Sequence, residues 1–147
     1  MTTSSQAQER KLPDFFTEGP FIRTFIPKAN AEQFIANYIG QMGGEVQYDF
    51  VFEKIDSRII AIKSPHGNVS VLFTDNYDAL PDYTKNTRAM YYGDIQGAVA
   101  AARAAGLKVL QDYTKTPGGA QGRIEMAPGY NIEVIEIAPE LLKSAKP

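Results

Sequence analysis

The chain contains no cysteine and a single histidine in 147 residues. The lack of cysteine excludes disulfide bonds, thiolate metal ligands and cysteine nucleophiles. The histidine, His66, falls in a predicted turn before a strand, so we expect a surface role for it rather than catalysis. No serine occupies a nucleophile elbow, and the glycine patterns of phosphate loops and dinucleotide-binding folds are missing. We therefore predict that the protein uses no cofactor.

The sequence also lacks an excess of charge of one sign and any long hydrophobic run. It has 15 Lys and Arg against 17 Asp and Glu, a net charge of −2, with no basic patch interleaved with aromatic residues. Nucleic-acid binding is therefore not expected. No segment has the length and hydropathy of a membrane span, and residues 1–20 lack the basic start and apolar core of a signal peptide. We predict a cytoplasmic protein that binds neither nucleic acid nor a membrane.

What the chain does contain is an internal repeat. Residues 65–72 (PHGNVSVL) align without gaps with residues 128–135 (PGYNIEVI), sharing proline, asparagine and valine. Asn30 and Asp94 begin two helical patterns at nearly the same spacing, each with an apolar stripe that stops at glycine. A module of half this length would bury too little surface to be stable alone. We therefore predict two copies of one module that share a core.

Each copy has the order β-α-β-β-β. Periodicity and turn residues predict four strands and one helix per copy, with module one at 21–75, a linker at 76–86 and module two at 87–138. Residues 1–20 are predicted to form a flexible tail, in which Leu12, Phe15 and Phe16 are apolar enough to dock on a partner or on the body of the protein. Residues 139–147 form a C-terminal tail. The predicted strands are 21–26, 46–52, 58–63 and 69–73, then 89–92, 109–113, 123–126 and 131–137, with helices following Asn30 and Asp94.

These features resemble the vicinal oxygen chelate superfamily, which includes glyoxalases, extradiol dioxygenases, fosfomycin-modifying enzymes and bleomycin-binding proteins. The resemblance lies in the paired β-α-β-β-β modules, the helix that ends in Gly43-Gly44 before a strand, and the closing segment 128–136 (PGYNIEVIE). It covers residues 21–138. It implies an α+β fold in which two tandem βαβββ modules form an open, eight-stranded, barrel-like cleft, and it favours a homodimer.

Metalloenzymes of that superfamily place their ligands on the first and last strand of each module. Carried over to this chain, counting back from the two helix caps and using the repeat, the four positions fall on Arg23, Ser70, Thr87 and Glu133. Only Glu133 is a plausible ligand, and a guanidinium would repel the ion whose ligand it replaced. The resemblance therefore implies a metal-independent member.

What remains is a cleft with one cation and one anion. If both project inward, Arg23 and Glu133 lie within reach of each other, and each lowers the cost of burying the other. In one interpretation they form an ion pair that only locks the two halves together. In the other, Arg23 holds an oxyanion or carboxylate of a ligand, and Glu133 acts as a base or a hydrogen-bond acceptor.

Strand parity gives further candidates for ligand binding, although core packing is the commoner fate of such side chains. Glu136 lies on the face opposite to Glu133 and is expected to be a solvated charge. The additional candidates are Phe25, Tyr48, Phe50, Met90 and Ile135 as apolar walls, together with Arg123 and Glu125 on one strand.

Two functions compete. In the first, a metal-independent cleft sequesters or carries a small hydrophobic or aromatic molecule. In the second, the protein is a cofactor-free isomerase, lyase or cyclase acting on an activated carbonyl compound, with Arg23 polarising the substrate and Glu133 moving a proton. A scaffold that holds a protein partner through a sheet edge is a third class, but no motif supports it.

Overall fold

The computed structural model describes residues 10–139, and eight strands in this range form one mixed sheet. Of the predicted tails, 1–20 and 139–147, residues 1–9 and 140–147 lie outside the described residues. The strands are β1 (Phe16–Ile26), β2 (Glu45–Phe52), β3 (Ser57–Lys63), β4 (Asn68–Phe73), β5 (Thr87–Gly93), β6 (Lys108–Thr116), β7 (Gly119–Ala127) and β8 (Tyr130–Ile137). The helices are α1 (Ala31–Met42), α2 (Asp82–Lys85) and α3 (Ile95–Ala104).

The strand order shows the duplication directly. It runs β2-β3-β4-β1-β5-β8-β7-β6, so each half of the sheet belongs to one βαβββ module. Within each module the first and last strands are parallel, β1 with β4 and β5 with β8, and the halves join through antiparallel β1 and β5. This confirms the predicted α+β class, with two tandem modules forming an open, eight-stranded sheet.

The two long helices cover one face of the sheet. Helix α1 packs Phe34, Ile35 and Tyr38 on the core of module one, and α3 packs an alanine-rich stripe on the core of module two. The Asp94 side chain caps α3 by accepting from Gly97 N at 3.1 Å, as predicted. Asn30 is the N-cap residue of α1, as predicted, but its side chain makes no capping hydrogen bond. No helix in residues 10–139 is long and apolar enough to span a membrane.

The N-terminal segment docks on the body of the protein. A turn at Leu12–Phe15 leads into β1, which begins at Phe16 rather than at the predicted residue 21. Phe15 O accepts from Asp94 N at 2.9 Å, and the Phe16 ring stacks on Tyr91 at 4.1 Å. The Phe15 ring also lies against Gly97 of α3, where an added Cβ would lie 2.4 Å from Phe15 Cδ1. Of the two docking alternatives, the structure therefore shows the contact with the body.

Two connections were predicted from the sequence, the turn that contains His66 and the linker at 76–86, and they differ in how much regular structure they contain. His66 is exposed in the turn between β3 and β4, as predicted. The predicted linker at 76–86 is partly ordered into a turn and the short helix α2, and its Tyr83 carbonyl accepts from Thr87 Oγ1 at 2.7 Å and Asn131 Nδ2 at 3.2 Å. These bonds fix α2 to module two, at the edge of the sheet face that carries the cavity described below.

Candidate functional site

A cavity of about 570 Å³ opens on the face of the sheet opposite to α1 and α3. This volume lies in the range of small-molecule sites, about 300–1,000 Å³. Strands of both modules contribute to its lining, and module one supplies mainly apolar side chains, such as Phe50, Phe52 and Leu72. Module two supplies most of the polar ones. The cleft thus combines apolar walls with a few convergent polar groups.

Strand register places the polar groups in two matching rows across the sheet. In module one the paired positions are Tyr48, Ala61, Ser70 and Arg23, from β2 to β1. In module two they are Gln111, Arg123, Glu133 and Met90, from β6 to β5. Each position in the first row therefore has a counterpart in the second.

This register corrects the assignment of Thr87. The counterpart of Arg23 is Met90, because module one has an extra three-residue turn, Lys28–Asn30, just before α1 that module two lacks before α3. Counting back from the caps therefore misplaced the position by three residues. Thr87 lies outside the cavity lining, although its hydroxyl accepts a hydrogen bond from Arg123.

Glu133 lies between two arginines at the floor of the cavity. Its Oε1 accepts from Arg23 Nη2 at 2.9 Å, and its Oε2 accepts from Arg123 Nη2 at 3.2 Å. The three side chains are only 4–7% exposed. Arg23 belongs to module one and the other two to module two, so the contact crosses the junction between the halves. Two guanidinium groups and one carboxylate leave a formal charge of +1 in a buried place.

Arg123 is fully held by its neighbours. Besides Glu133, it donates from Nε to Thr87 Oγ1 at 3.2 Å and from Nη1 to Gln111 Oε1 at 2.8 Å. Its Cζ lies 4.7 Å from the centre of the Tyr83 ring, a cation–π distance. Arg123 therefore acts as a rigid brace for the carboxylate.

Arg23 is held much less tightly. Its single side-chain hydrogen bond within the described chain goes to Glu133, and its buried Nε has no partner. The neighbouring Ser70, fully buried on the next strand, directs its hydroxyl to Tyr48 and leaves Arg23 Nε unsatisfied. Buried polar groups in native proteins are normally satisfied, so an unpaired donor in a residue that lines a cavity points to a missing acceptor. Arg23 has donor capacity left for a ligand.

A divalent metal ion does not fit these side chains. The four positions that correspond to metal ligands in the resembled superfamily carry Arg23, Ser70, Met90 and Glu133, of which only Glu133 is a good donor for a hard cation. The guanidinium groups of Arg23 and Arg123 already occupy the surroundings of this carboxylate. Within residues 10–139, no cluster of three or more His, Cys, Asp or Glu could hold a metal.

The structure brings most of the candidate side chains to the cavity and leaves three others, besides Thr87, outside its lining. Phe25 contacts the Tyr77 ring edge-on at 5.0 Å, outside the lining, and Ser70 and Glu125 also lie outside it. The candidates that line the cavity are Arg23, Tyr48, Phe50, Met90, Arg123, Glu133 and Ile135.

Sequence reasoning missed several polar residues of the lining, among them Gln111, Gln121 and Tyr83. With its amide nitrogen turned toward the carboxylate, Gln121 donates to Glu133 Oε2 at 3.1 Å. A signal for Gln111 was present, since it is an uncharged polar residue within the predicted strand 109–113, whereas Gln121 precedes the predicted strand 123–126. Tyr83 carried no such signal, because it reaches the cavity from the predicted linker.

Comparison with solved structures finds the same architecture in methylmalonyl-CoA epimerases. The enzyme from Mycobacterium tuberculosis has a TM-score of 0.63 over 92% of this chain and 97% of that chain, at 14% sequence identity. A variant of the Streptomyces coelicolor enzyme in complex with 2-nitronate-propionyl-CoA has a TM-score of 0.57 over 84% and 99% of the two chains, at 18% identity. No family model and no curated protein matches the sequence. At these identities the likeness establishes the fold alone.

Proposed function

We propose, from the premise that this chain has the vicinal oxygen chelate fold, that it is a metal-independent isomerase of a small carbonyl compound with an apolar body. The observation that carries the proposal is the buried Arg23–Glu133–Arg123 cluster at the floor of an open, largely apolar cavity. Enzymes gain most from charged groups that are fixed in a water-poor site before the reaction begins. The cluster offers both a carboxylate and an excess of positive charge.

The fold neighbours support the reaction class. They are named as epimerases, which are isomerases, and one is described with methylmalonyl-CoA bound. Fold kinship alone does not fix a function, so the residues of the cavity must support the chemistry independently. Here the proposal needs a base next to the substrate carbon and a cation next to the carbonyl oxygen.

Glu133 and Arg23 have these two roles in the proposed reaction. The Glu133 carboxylate takes a proton from the carbon next to the carbonyl, and the C–H electron pair forms a C=C bond while the carbonyl π electrons move to oxygen. Arg23 stabilises the resulting enolate oxygen. Return of the proton to the same face of that carbon only regenerates the substrate, so the isomer forms when Glu133 delivers the proton to the enolate oxygen, which gives the enol. A carboxylate has about four lone-pair sites, so the two arginines and Gln121 still leave Glu133 an acceptor position.

A second function, sequestration without turnover, is favoured by a different observation. Both oxygens of Glu133 already accept hydrogen bonds from arginines, so its lone pairs are largely engaged within the protein. The same cavity would then hold a hydrophobic or aromatic molecule through its apolar walls and an anionic group through Arg23. The predicted homodimer and cytoplasmic location apply equally to both functions and stay predictions.

Deuterium exchange separates the two functions. Phenylpyruvate and methylmalonyl-CoA serve as probes in D₂O, and proton NMR follows loss of the hydrogen next to the carbonyl. An isomerase accelerates the exchange of at least one probe above the buffer rate. The acceleration disappears in Glu133→Gln and persists in Glu136→Gln, whose side chain is exposed on the other face.

Arg23→Gln provides a second variant in case Glu133→Gln is poorly folded. It retains the base but loses the cation, so it should bind the probe and exchange it slowly. Saturable binding of both probes with exchange at the buffer rate would refute the isomerase and support sequestration.

A further inference from the structure

The Tyr48 hydroxyl is a polar group in the cavity that the proposed reaction does not use. Tyr48 lines the cavity and is 2% exposed, yet its O–H donates only to the Met90 sulfur, at 3.3 Å. A thioether is a weak acceptor, and buried tyrosine hydroxyls usually find a better one. The hydroxyl can therefore turn to a stronger acceptor at little cost.

The neighbours of Tyr48 are donors more than strong acceptors. It occupies the same row as Ser70 and Arg23; the Ser70 hydroxyl is a hydrogen-bond donor to Tyr48 that lowers its pKa, and Arg23 Nε is buried and unpaired. The Tyr48 hydroxyl lies 3.3 Å from the Met90 sulfur, and Met90 is paired with Glu133 across β5 and β8, so the hydroxyl lies beside the charged cluster. Burial is the larger effect and raises that pKa, so the hydroxyl remains protonated at neutral pH.

We propose that Tyr48 and Arg23 together form a binding site for an oxyanion of the ligand. The Tyr48 O–H and an N–H of Arg23 both donate to one ligand oxygen, which is an enolate, phenolate or carboxylate oxygen. This inference deepens the proposed function, since it adds Tyr48 as a catalytic residue and restricts the substrate to compounds that carry or develop negative charge on oxygen. It treats Tyr48 as a donor rather than as the apolar wall expected from the sequence.

Tyr92 provides a matched control for Tyr48. Its hydroxyl is buried and has no hydrogen-bond partner, and burial raises its pKa as it does for Tyr48. Its ring packs against Phe21 at 5.2 Å, outside the cavity lining. Tyr92→Phe therefore removes the same atom as Tyr48→Phe, from a side chain that does not line the cavity.

The test compares a phenolate with a neutral analogue. 4-Nitrophenol is titrated spectroscopically with and without the intact protein, and 4-nitroanisole, which has no ionisable oxygen, is bound in parallel. In the wild type the bound phenol ionises at lower pH than the free phenol. Tyr48→Phe weakens phenolate binding about tenfold or more, the usual range for a hydrogen bond to a charged group. The same variant leaves 4-nitroanisole binding unchanged within about twofold, and Tyr92→Phe changes neither.

Three results would overturn the inference. One is an equal loss of affinity for both ligands in Tyr48→Phe, which would mean that the side chain only shapes the cavity. Another is ionisation of the bound phenol at the same or higher pH than in water, which is measured on the wild type alone and needs no variant. The third is absence of phenolate binding up to millimolar concentration. Deuterium exchange of a carbonyl probe alongside any of these would leave the proposed isomerase standing.

Discussion

Replacing Glu133 by glutamine should destabilise the protein strongly, although the two side chains have nearly the same shape. In the wild type the carboxylate neutralises one of the two guanidinium groups it contacts, at 2.9 and 3.2 Å. The substitution removes that charge and raises the formal charge of the buried cluster from +1 to +2. Arg23 and Arg123 then face each other across an amide, with little water to screen them.

Breaking a buried ion pair by removing one partner costs about 3–5 kcal/mol, since the remaining charge stays buried without compensation. For a domain of about 150 residues or more, each kcal/mol lowers the melting temperature by about 2–4 °C. The expected loss in Glu133→Gln is therefore about 6–20 °C. Added sulfate or acetate should restore part of it, because an anion bound between the freed guanidinium groups stabilises the folded state by mass action.

The assay is thermal and urea unfolding followed by circular dichroism, with Glu136→Gln as the control. Surface substitutions of this kind usually change stability by less than about 0.5 kcal/mol. A double-mutant cycle with Arg123→Met then tests whether the charges are coupled. If Glu133→Gln unfolds within about 1 kcal/mol of the control, or if sulfate protects both variants equally, the carboxylate does not compensate two buried cations and the reasoning fails.

Arg123→Met should cost about 3–5 kcal/mol of unfolding free energy and Arg23→Met only about 1 kcal/mol, because Arg123 also bonds the buried Thr87 and the half-buried Gln111, whereas Arg23 bonds Glu133 alone. The reverse order in urea unfolding would contradict the assignment of Arg123 as the brace. Burial raises the folded-state pKa of Tyr48 above the unfolded value near 10. The contribution of the protonated Tyr48 to the free energy of unfolding is therefore complete below about pH 10 and is lost as the pH rises further. Urea unfolding from about pH 8 to about pH 11 should accordingly show that the free energy of unfolding declines less steeply in Tyr48→Phe than in the wild type, by up to about 1.4 kcal/mol per pH unit. Equal slopes in the two proteins would argue against the burial of the Tyr48 hydroxyl. Exhaustive chelation, or addition of Mn²⁺, Co²⁺ or Zn²⁺, should leave the melting temperature unchanged, and a stoichiometric rise on adding a metal would contradict the donor-set argument.

The sequence predicted the duplicated fold because its signals are local. The repeat at 65–72 and 128–135 and the two helical stripes identify the modules, and the start of β1 was missed only because Gly19 and Pro20 resemble a strand end. In the structure these two residues lie where the β1 and β5 register shifts, and such irregularities admit residues that regular pairing excludes. Local pattern cannot distinguish an interrupted strand from a terminated one.

The candidate site could be predicted only in part, because it depends on lateral register. Arg23 and Glu133 followed from the resemblance and the repeat, and the structure places them in contact. The pairing of Arg123 with Glu133 requires the register of β7 on β8, which no short-range pattern encodes. The misassignment of Thr87 has a similar origin, since an extra turn before one helix does not interrupt the hydrophobic periodicity.

The matching rows across the sheet have diverged at every position. In module two, glutamine replaces the tyrosine of module one, arginine replaces its alanine, glutamate replaces its serine, and methionine replaces its arginine. A sheet with near-twofold symmetry therefore encloses a cavity without symmetry, which is mainly apolar toward module one and mainly polar and charged toward module two. A guest that enters it has one favoured orientation, with its hydrocarbon end and its charged end assigned to different halves. A prochiral enolate carbon held in this way presents a single face to the carboxylate, so Glu133 would add a proton to that carbon on that face alone.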